Sequence, residues 1–332
     1  MNASNQSQTT LSTGSQQPLV SVILPTYNRP AYLKEAIESA VQQTYQNIEI
    51  IVSDDCSPEK PQAVVEGFQD PRIIFLRNEI NLGMVRNIGN IYKKARGKYV
   101  AHLNDDDMWN KDFLEKLVPP LEANPDLALA FCDHYIINAD SEINYPVTED
   151  TTRYTHRDRL KEGVYQPFCK LGIVDSAVAT PCAAVIRKDA FDWDDIPPEI
   201  GGFWDVYTNY LCCRSSRGAY YYPERLTRYR HHSQGYTRYN SKKDAETKIR
   251  RAKHEIFLNE RLMEDERLAE LKPYFQKAWA HQTTTLGIGL LRAKKAAEAR
   301  PYFLSALGQH PSLRTLVALI LSFTPQSLAS RF

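Results

Sequence analysis

Asn104-Asp105-Asp106-Asp107 holds the densest chemistry in the chain. It follows Tyr99-Val100-Ala101-His102-Leu103, an apolar run that reads as a buried strand. Three consecutive carboxylates at a strand end repel one another, so a purely structural role explains them poorly. A divalent cation would resolve the repulsion, because hard cations take oxygen ligands and also bridge to phosphates. In an open α/β sheet, ligands bind outside the carboxyl ends of the strands. Residue type and position therefore point to a metal–nucleotide site. The competing reading is a solvated acidic turn that caps the helix near Lys111, since carboxylates are common at helix N-termini.

The elements that must position this cluster follow from hydrophobic periodicity. Apolar runs at 19–24, 48–52, 73–76 and 99–103 read as strands. Helices are expected over 32–43, 62–68 and 84–95, with Leu33, Ala36, Ile37 and Ala40 on one face of the first. Such alternation predicts an α/β fold, a mostly parallel sheet with helices on both faces. Right-handed crossovers place the C-terminal strand ends on one edge. Tyr27, Asp54, Asp55 and the three carboxylates of 105–107 then converge on one crevice.

The middle of the chain is less regular. Residues 127–132 read as a strand, 138–158 as a long polar loop, and 181–186 as a return to the sheet pattern. Gly201-Gly202-Phe203-Trp204-Asp205 opens a helix running to Cys213. Tyr220-Tyr221-Tyr222-Pro223 reads as an edge strand, because proline cannot donate within a central one. Residues 242–271 are charged and helical. The apolar spacing over 281–323 resembles one tetratricopeptide unit, a helix–turn–helix. One unit cannot bury its own apolar face, so it packs on the preceding helices or offers a partner-docking surface.

Composition narrows the classes. The 332 residues carry a formal charge of +1, which argues against a nucleic-acid coating protein. The six cysteines form no CxxC pair and no zinc spacing, as expected of reduced thiols in a cytoplasmic protein. Residues 1–17 are rich in Ser, Thr, Gln and Asn and read as a disordered tail, with neither the basic start nor the apolar stretch of a signal peptide. The apolar run at 315–323 falls far short of the ~20 residues of a membrane-spanning helix. Arg314, Leu316, Leu319, Ile320, Leu321 and Phe323 read first as a packed final helix, with a peripheral contact at the inner face of the plasma membrane as the alternative.

Five blocks in order carry a family resemblance. They are Val20-Ser21-Val22-Ile23-Leu24-Pro25-Thr26-Tyr27-Asn28-Arg29; Ser39-Ala40-Val41-Gln42-Gln43-Thr44-Tyr45; Glu49-Ile50-Ile51-Val52-Ser53-Asp54-Asp55-Cys56-Ser57; Asn81-Leu82-Gly83 with Arg86-Asn87 and Gly89; and Gly97-Lys98-Tyr99-Val100. Together they resemble the family 2 glycosyltransferases, which have the GT-A fold. The resemblance covers about 19–116, thins through the acceptor half and is absent beyond about 241. It implies a tail over 1–17, a GT-A domain over 18–240 and a helical extension over 241–332. Within the domain, 18–120 would be the nucleotide-sugar half and 121–240 the acceptor half.

The resemblance further implies transfer of a sugar with inversion. The donor would be a nucleotide diphosphate-sugar, a UDP-sugar first, and the acceptor a glycan, lipid-linked or other hydroxyl. Cell-surface polysaccharide biosynthesis is the implied setting. Pro25, Thr26, Tyr27 and Asn28 would line the base and ribose pocket. Asp54 and Asp55 would close strand two, with Asp55 at the nucleobase and Arg86 beside the nucleotide. Asp105 would contact the ribose or donor sugar. Asp106 would be the metal ligand of the DXD-type motif, holding Mn²⁺ or Mg²⁺. One departure stands out: Asn104 replaces the first Asp of the common Leu-Asp-x-Asp-Asp form, which lowers the carboxylate count that tunes metal affinity.

Inversion by direct displacement needs a base opposite the leaving group. Asp205 resembles the acidic position that starts the acceptor-side helix, with Glu199, Asp192, Asp194 and Asp195 as competitors. The structural alternative is a carboxylate that only favours the helix dipole. Trp204 and Phe203 serve either as a platform for a sugar face or as core. Arg228-Tyr229-Arg230-His231-His232-Ser233 resembles the family's Tyr-Arg-x-His element. On it, His232 would reach the metal or diphosphate, and Arg230 would offset phosphate charge, with Asp107 and Trp204 near phosphate or acceptor. Three other functions compete. One is a non-catalytic nucleotide-sugar or glycan-binding scaffold, toward which Asn104 leans. Another is a dinucleotide-dependent oxidoreductase, against which the missing GxGxxG and Walker A motifs count. The last is an assembly scaffold that forms a homo-oligomer through its C-terminal helices.

Overall fold

The computed structural model describes residues 17–232 and 245–324. The expected tail, apart from Gln17, and the boundary placed at 240/241 lie outside the described residues. The first half of the chain is β1 (Val20–Thr26), α1 (Pro30–Val41), β2 (Ile48–Asp54), α2 (Gln62–Glu66), β3 (Ile73–Arg77), α3 (Met84–Lys94) and β4 (Tyr99–His102). A two-residue β5 (Met108–Trp109), α4 (Phe113–Ala123) and the long β6 (Leu127–Ile137) follow. Then come α5 (Tyr145–Tyr154), β7 (Gly163–Tyr165), α6 (Thr180–Ala183), β8 (Ala184–Arg187), α7 (Trp204–Arg214) and β9 (Gly218–Arg230). The remaining described chain is helical: α8 (Ala245–Glu264), α9 (Lys272–Arg292), α10 (Ala296–Gln309) and α11 (Leu313–Leu321).

One nine-stranded sheet runs in the order β3-β2-β1-β4-β8-β6-β9-β5, with β7 also on β9. The β3-β2-β1-β4 portion is wholly parallel, and the portion from β4 through β8, β6 and β9 is mixed. Parallel strands are buried on both faces and read as continuous apolar runs; every residue of β2 is buried. Alternate strand residues sort into two cores. Val20, Val22, Leu24, Ile50 and Val52 pack with Leu33 and Ile37 of α1 and Leu117 of α4. Ile23, Ile51 and Val100 pack with Ile88 and Ile91 of α3 and Leu211 of α7. The sheet therefore carries helices on both faces, as the alternation predicted. Pro30 opens α1 at a position where a missing N–H costs nothing.

Three expectations change. The polar stretch 138–158 is not a loop throughout, since α5 occupies Tyr145–Tyr154. Asn144 caps it by accepting from the Val147 N–H at 3.1 Å, a local bond that polar composition conceals. The segment around Tyr220–Tyr222 is not an edge strand, because β9 pairs with β6 on one side and with β7 and β5 on the other. Pro223 is tolerated because the β6–β9 register shifts there, from Cys132↔Tyr222 to Asp133↔Arg225, and its β7 and β5 partners lie to either side. The 181–186 run is split, with α6 through Ala183 and β8 from Ala184.

The C-terminal helices form an all-α extension. Phe303 of α10 is fully buried against Gly287 of α9, where a Cβ would overlap its ring. Ala252, Leu286, Leu290, Ala299 and Ala318 complete this small core. The extension also reaches the sheet domain. Gly201, with φ +51°, packs directly under the His254 ring of α8.

Candidate active site

The parallel strands deliver their ends to one edge, with Thr26 beside Asp54 and Ile23 beside His102. A cavity of about 770 Å³ opens there. On its first wall are Pro25, Thr26, Tyr27, Arg29, Asp55 and Gly83. Asn104, Asp105 and Asp106 also line it, as do Trp204, Asp205, Asn209 and Arg230 from the second half of the domain.

The three carboxylates do not share one point. Asp105 Oδ2 accepts from Thr26 Oγ1 at 2.8 Å and the Tyr27 N–H at 3.3 Å. Arg29 Nη1 donates to Asp105 Oδ1 at 3.0 Å and to Asp106 Oδ2 at 2.7 Å. Asp106 Oδ2 also lies 2.9 Å from His232 Nε2. Asp107 turns away from the cavity, accepting from the Arg230 N–H at 2.9 Å and from Asn104 Nδ2 at 3.0 Å. The repulsion inferred from sequence is thus relieved by an arginine and by backbone and amide donors. Burial first, and Asp106 second, still push the Asp105 and Asp107 carboxyls above the usual range. Asn104 has a role of its own: its Oδ1 lies 3.1 Å from His102 Nε2 while its amide holds Asp107. A carboxylate could not donate in that way.

The cluster's surroundings are rigid. Arg230 donates to the Asp106 carbonyl at 2.7 Å, to Glu35 Oε2 at 2.7 Å and to Ser141 Oγ at 2.8 Å, and its guanidinium stacks 4.5 Å from the Tyr32 ring. The same Tyr32 ring meets His232 edge-on at 4.8 Å. Arg230 therefore fixes the cluster at least as much as it faces the cavity.

Asp54 and Asp55 divide the labour. Asp54 is fully buried, ion-paired with Arg77 and accepting from Ser57, and it does not line the cavity. Asp55 lines it and accepts from Leu82 N–H, Gly83 N–H and Asn78 Nδ2, all at 2.9 Å. It thereby pins the 81–83 loop to the end of β2. Asn28, at φ +58°, is exposed and donates its N–H to Ser57 Oγ at 2.8 Å. Arg86 is exposed on α3 outside the cavity lining.

Asp205 sits in the first turn of α7 and lines the same cavity as Asn104, Asp105 and Asp106. Burial pushes its carboxyl up to about 6, against the lowering pull of helix N-terminal N–H groups and Arg251. Glu199, Asp192, Asp194 and Asp195 are exposed and do not line the cavity. Trp204 is buried, with its ring 4.6 Å from His102 and 6.4 Å from Trp193, so it is chiefly core with a face toward the cavity. Asn209, one turn after Asp205, donates to the carbonyls of Gly172 and Val178 at 3.2 and 3.0 Å and locks α7 in place.

The Glycosyl transferase family 2 profile matches residues 21–192, more than half of the chain. The chain belongs to this family. Its curated relatives include Escherichia coli WcaA, provisionally named as a colanic acid biosynthesis glycosyl transferase, 32% identical over 37% of this chain and 45% of that protein. The chain spans less than half the length of the curated relatives it first matches. Two solved structures share the fold. Mannosyltransferase PcManGT from Pyrobaculum calidifontis, in complex with GDP-Man and Mn2+, superposes with a TM-score of 0.57 at 18% identity, over 96% of this chain and 84% of that one. S. aureus TarS in complex with UDP-GlcNAc superposes with a TM-score of 0.61 at 15% identity, over 94% and 88% of the two chains.

For this family 2 chain, Arg29, His134 and Arg250 are cavity residues to which the sequence reading gave no role. Arg29 lay inside a quoted motif but carried no assigned partner, because its reach to Asp105 and Asp106 depends on how the β1 and β4 ends meet. His134 lines the cavity from mid-β6, where nothing local marks it. Its Nε2 lies 3.3 Å from Arg157 Nη2, a group that can only donate, so the proton belongs on Nδ1. Arg250 reaches the cavity from α8, far from any family block.

Proposed function

We propose that this chain is an inverting glycosyltransferase that moves a sugar from a nucleoside diphosphate donor to an acceptor hydroxyl. The observation that carries the reading is that Asp205, with its raised carboxyl, lines the same cavity as Asp105 and Asp106. The donor would lie over β1 and β2 against Pro25, Thr26, Tyr27 and Asp55, with Asp105 at the ribose or donor sugar. Asp205 would accept the acceptor's hydroxyl proton while that oxygen attacks the anomeric carbon. The bond from that carbon to the β-phosphate oxygen breaks on the opposite face, and the nucleoside diphosphate leaves. The catalytic unit is assigned to 18–240, with 241–332 as an extension that adds Arg250 to the cavity wall.

The residues present fit a divalent cation brought with the donor. Among the described residues no three His, Cys, Asp or Glu groups are placed to hold a metal. A set of one carboxylate and one imidazole, Asp106 Oδ2 and His232 Nε2, suits Mn²⁺ better than the harder Mg²⁺, which would draw on Asp106 alone, with substrate phosphates supplying the remaining ligands. Arg29 already answers the negative charge at that position. A bound cation would act as a Lewis acid for the leaving diphosphate. A UDP-sugar donor and a glycan or lipid-linked acceptor are the favoured substrates; the solved neighbours, with GDP-Man and UDP-GlcNAc, support a nucleotide-sugar of either base, and relatives' names support polysaccharide assembly.

The test is titration calorimetry of UDP, GDP and dTDP with and without Mn²⁺, on wild type and Asp106→Ala. Metal-dependent binding of one nucleotide, lost in the variant, supports the reading and selects the donor. Binding of none, or binding indifferent to both metal and Asp106, leaves the fold as a non-catalytic scaffold.

A further inference from the structure

Helix α11 is built inside out. Its fully buried positions are Thr315 and Ala318, with Ser322 just beyond its end, and half-buried Leu319 packs on the same core. The positions it turns outward are Leu313, Leu316, Val317 and Ile320, with Phe323 in the next turn, and Leu313, Ile320 and Phe323 are 76%, 57% and 67% exposed. The spacing i, i+3, i+4, i+7 makes a continuous ridge along one helix face. The orientation is fixed by bonds on the inner side. Thr315 Oγ1 pairs with Thr284 Oγ1 of α9 at 2.8 Å, and the Ser322 carbonyl accepts from Arg300 Nη2 of α10 at 2.9 Å. Rolling the helix to bury its leucines would break both. An exposed ridge of this kind on a soluble surface marks an interaction site.

Charge selects the partner. Residues 292–324 hold five cations, Arg292, Lys294, Lys295, Arg300 and Arg314, against one carboxylate, Glu298, for a net +4 in a chain of net +1. No acidic residue lies in α11 or between it and residue 324. Two copies meeting through this face would bring two segments of net +4 together, because a two-fold contact pairs the same patch with itself. Anionic lipid headgroups instead neutralise the cations while the acyl boundary takes up the apolar ridge, as amphipathic interfacial helices do. Arg300 illustrates the fit, with its guanidinium stacked 4.2 Å from the exposed Phe323 ring. We propose that the outward face of α11 and the basic residues around it dock the protein on an anionic membrane surface. The helix would lie in the interface plane, since no helix among the described residues is long and apolar enough to cross a membrane.

The test is co-sedimentation of the full chain with vesicles of phosphatidylcholine alone or with roughly one-third phosphatidylglycerol. It needs no donor or acceptor, so it stands apart from the enzymatic reading. Binding to the anionic vesicles only, weakened by salt and reduced about tenfold or more by Leu316→Asp/Ile320→Asp, is expected. Both positions are exposed, so the variant should melt at the wild-type temperature, and Lys295→Gln should weaken binding without touching the ridge. Three outcomes overturn the proposal. They are no binding to anionic vesicles, equal binding to both vesicle types, and binding unaltered in the variants. Sedimentation velocity covers the rival occupant: a dimer that Leu316→Asp dissociates would give this face to a second copy and also overturn the membrane assignment.

Discussion

Arg29 Nη1 lies 2.7 Å from Asp106 Oδ2 and 3.0 Å from Asp105 Oδ1, so one guanidinium spans two carboxylates that line the cavity. A divalent cation seeking Asp106 must displace or share that contact. Arg29→Met removes the internal cation and leaves the carboxylates uncompensated. Mn²⁺ affinity without nucleotide, followed by electron paramagnetic resonance, should tighten by about tenfold, or ~1.4 kcal/mol. Unchanged or weaker affinity would mean that Arg29 does not compete for the site.

Asp205 gives a pH signature. Its carboxyl is pushed up to about 6 by burial, so it is protonated below that pH and able to accept a proton above it. The rate should fall about tenfold per pH unit below 6, because only the ionised form acts as base. Asp205→Asn should lower kcat by ~10²–10⁴ and leave nucleotide affinity unaltered. A variant that keeps its rate and its acid limb assigns the base elsewhere.

Asp54 and Asp55 are neighbours with separable effects. Asp54→Asn disrupts a buried pair with Arg77 and should lower the melting temperature, since an imperfectly satisfied buried group costs ~1–3 kcal/mol. Asp55→Ala leaves the Leu82 and Gly83 N–H groups without their acceptor and should chiefly weaken nucleotide binding. Thermal melts and calorimetry on both variants distinguish the two roles. Equal losses of affinity in both would contradict the division.

The extension is tied to the site through Gly201. Gly201→Ala forces a Cβ into the His254 ring at a positive φ, costing roughly 1–3 kcal/mol in overpacking. Melting temperature should drop, and the acceptor KM should rise as α8 and Arg250 shift. Adding His254→Ala should recover part of both. Absence of any recovery would detach α8 from the site's geometry.

The sequence by itself determined the parallel half of the sheet and the identity of the chemical groups at its edge. Strand runs such as 48–52 are apolar throughout, and the helices between them carry one-faced periodicity, so each element announces itself locally. The Asn104–Asp107 cluster was legible for the same reason, being a short pattern at a strand end, whereas Asp205 was singled out by its resemblance to the family's acidic position. Tertiary structure alone decided which of these groups meet. Whether Asp54 faces a ligand or Arg77, and whether Asp107 points into the cavity or toward Arg230, depends on contacts between residues far apart in the chain. Pro223 looked like an edge marker because the register shift that accommodates it lies in the pairing with β6, not in its own strand. Arg29, His134 and Arg250 reach one cavity from β1's end, mid-β6 and α8, and no local periodicity records that convergence. The outward turn of α11 is of the same kind, since it is set by Thr284 and Arg300 on neighbouring helices.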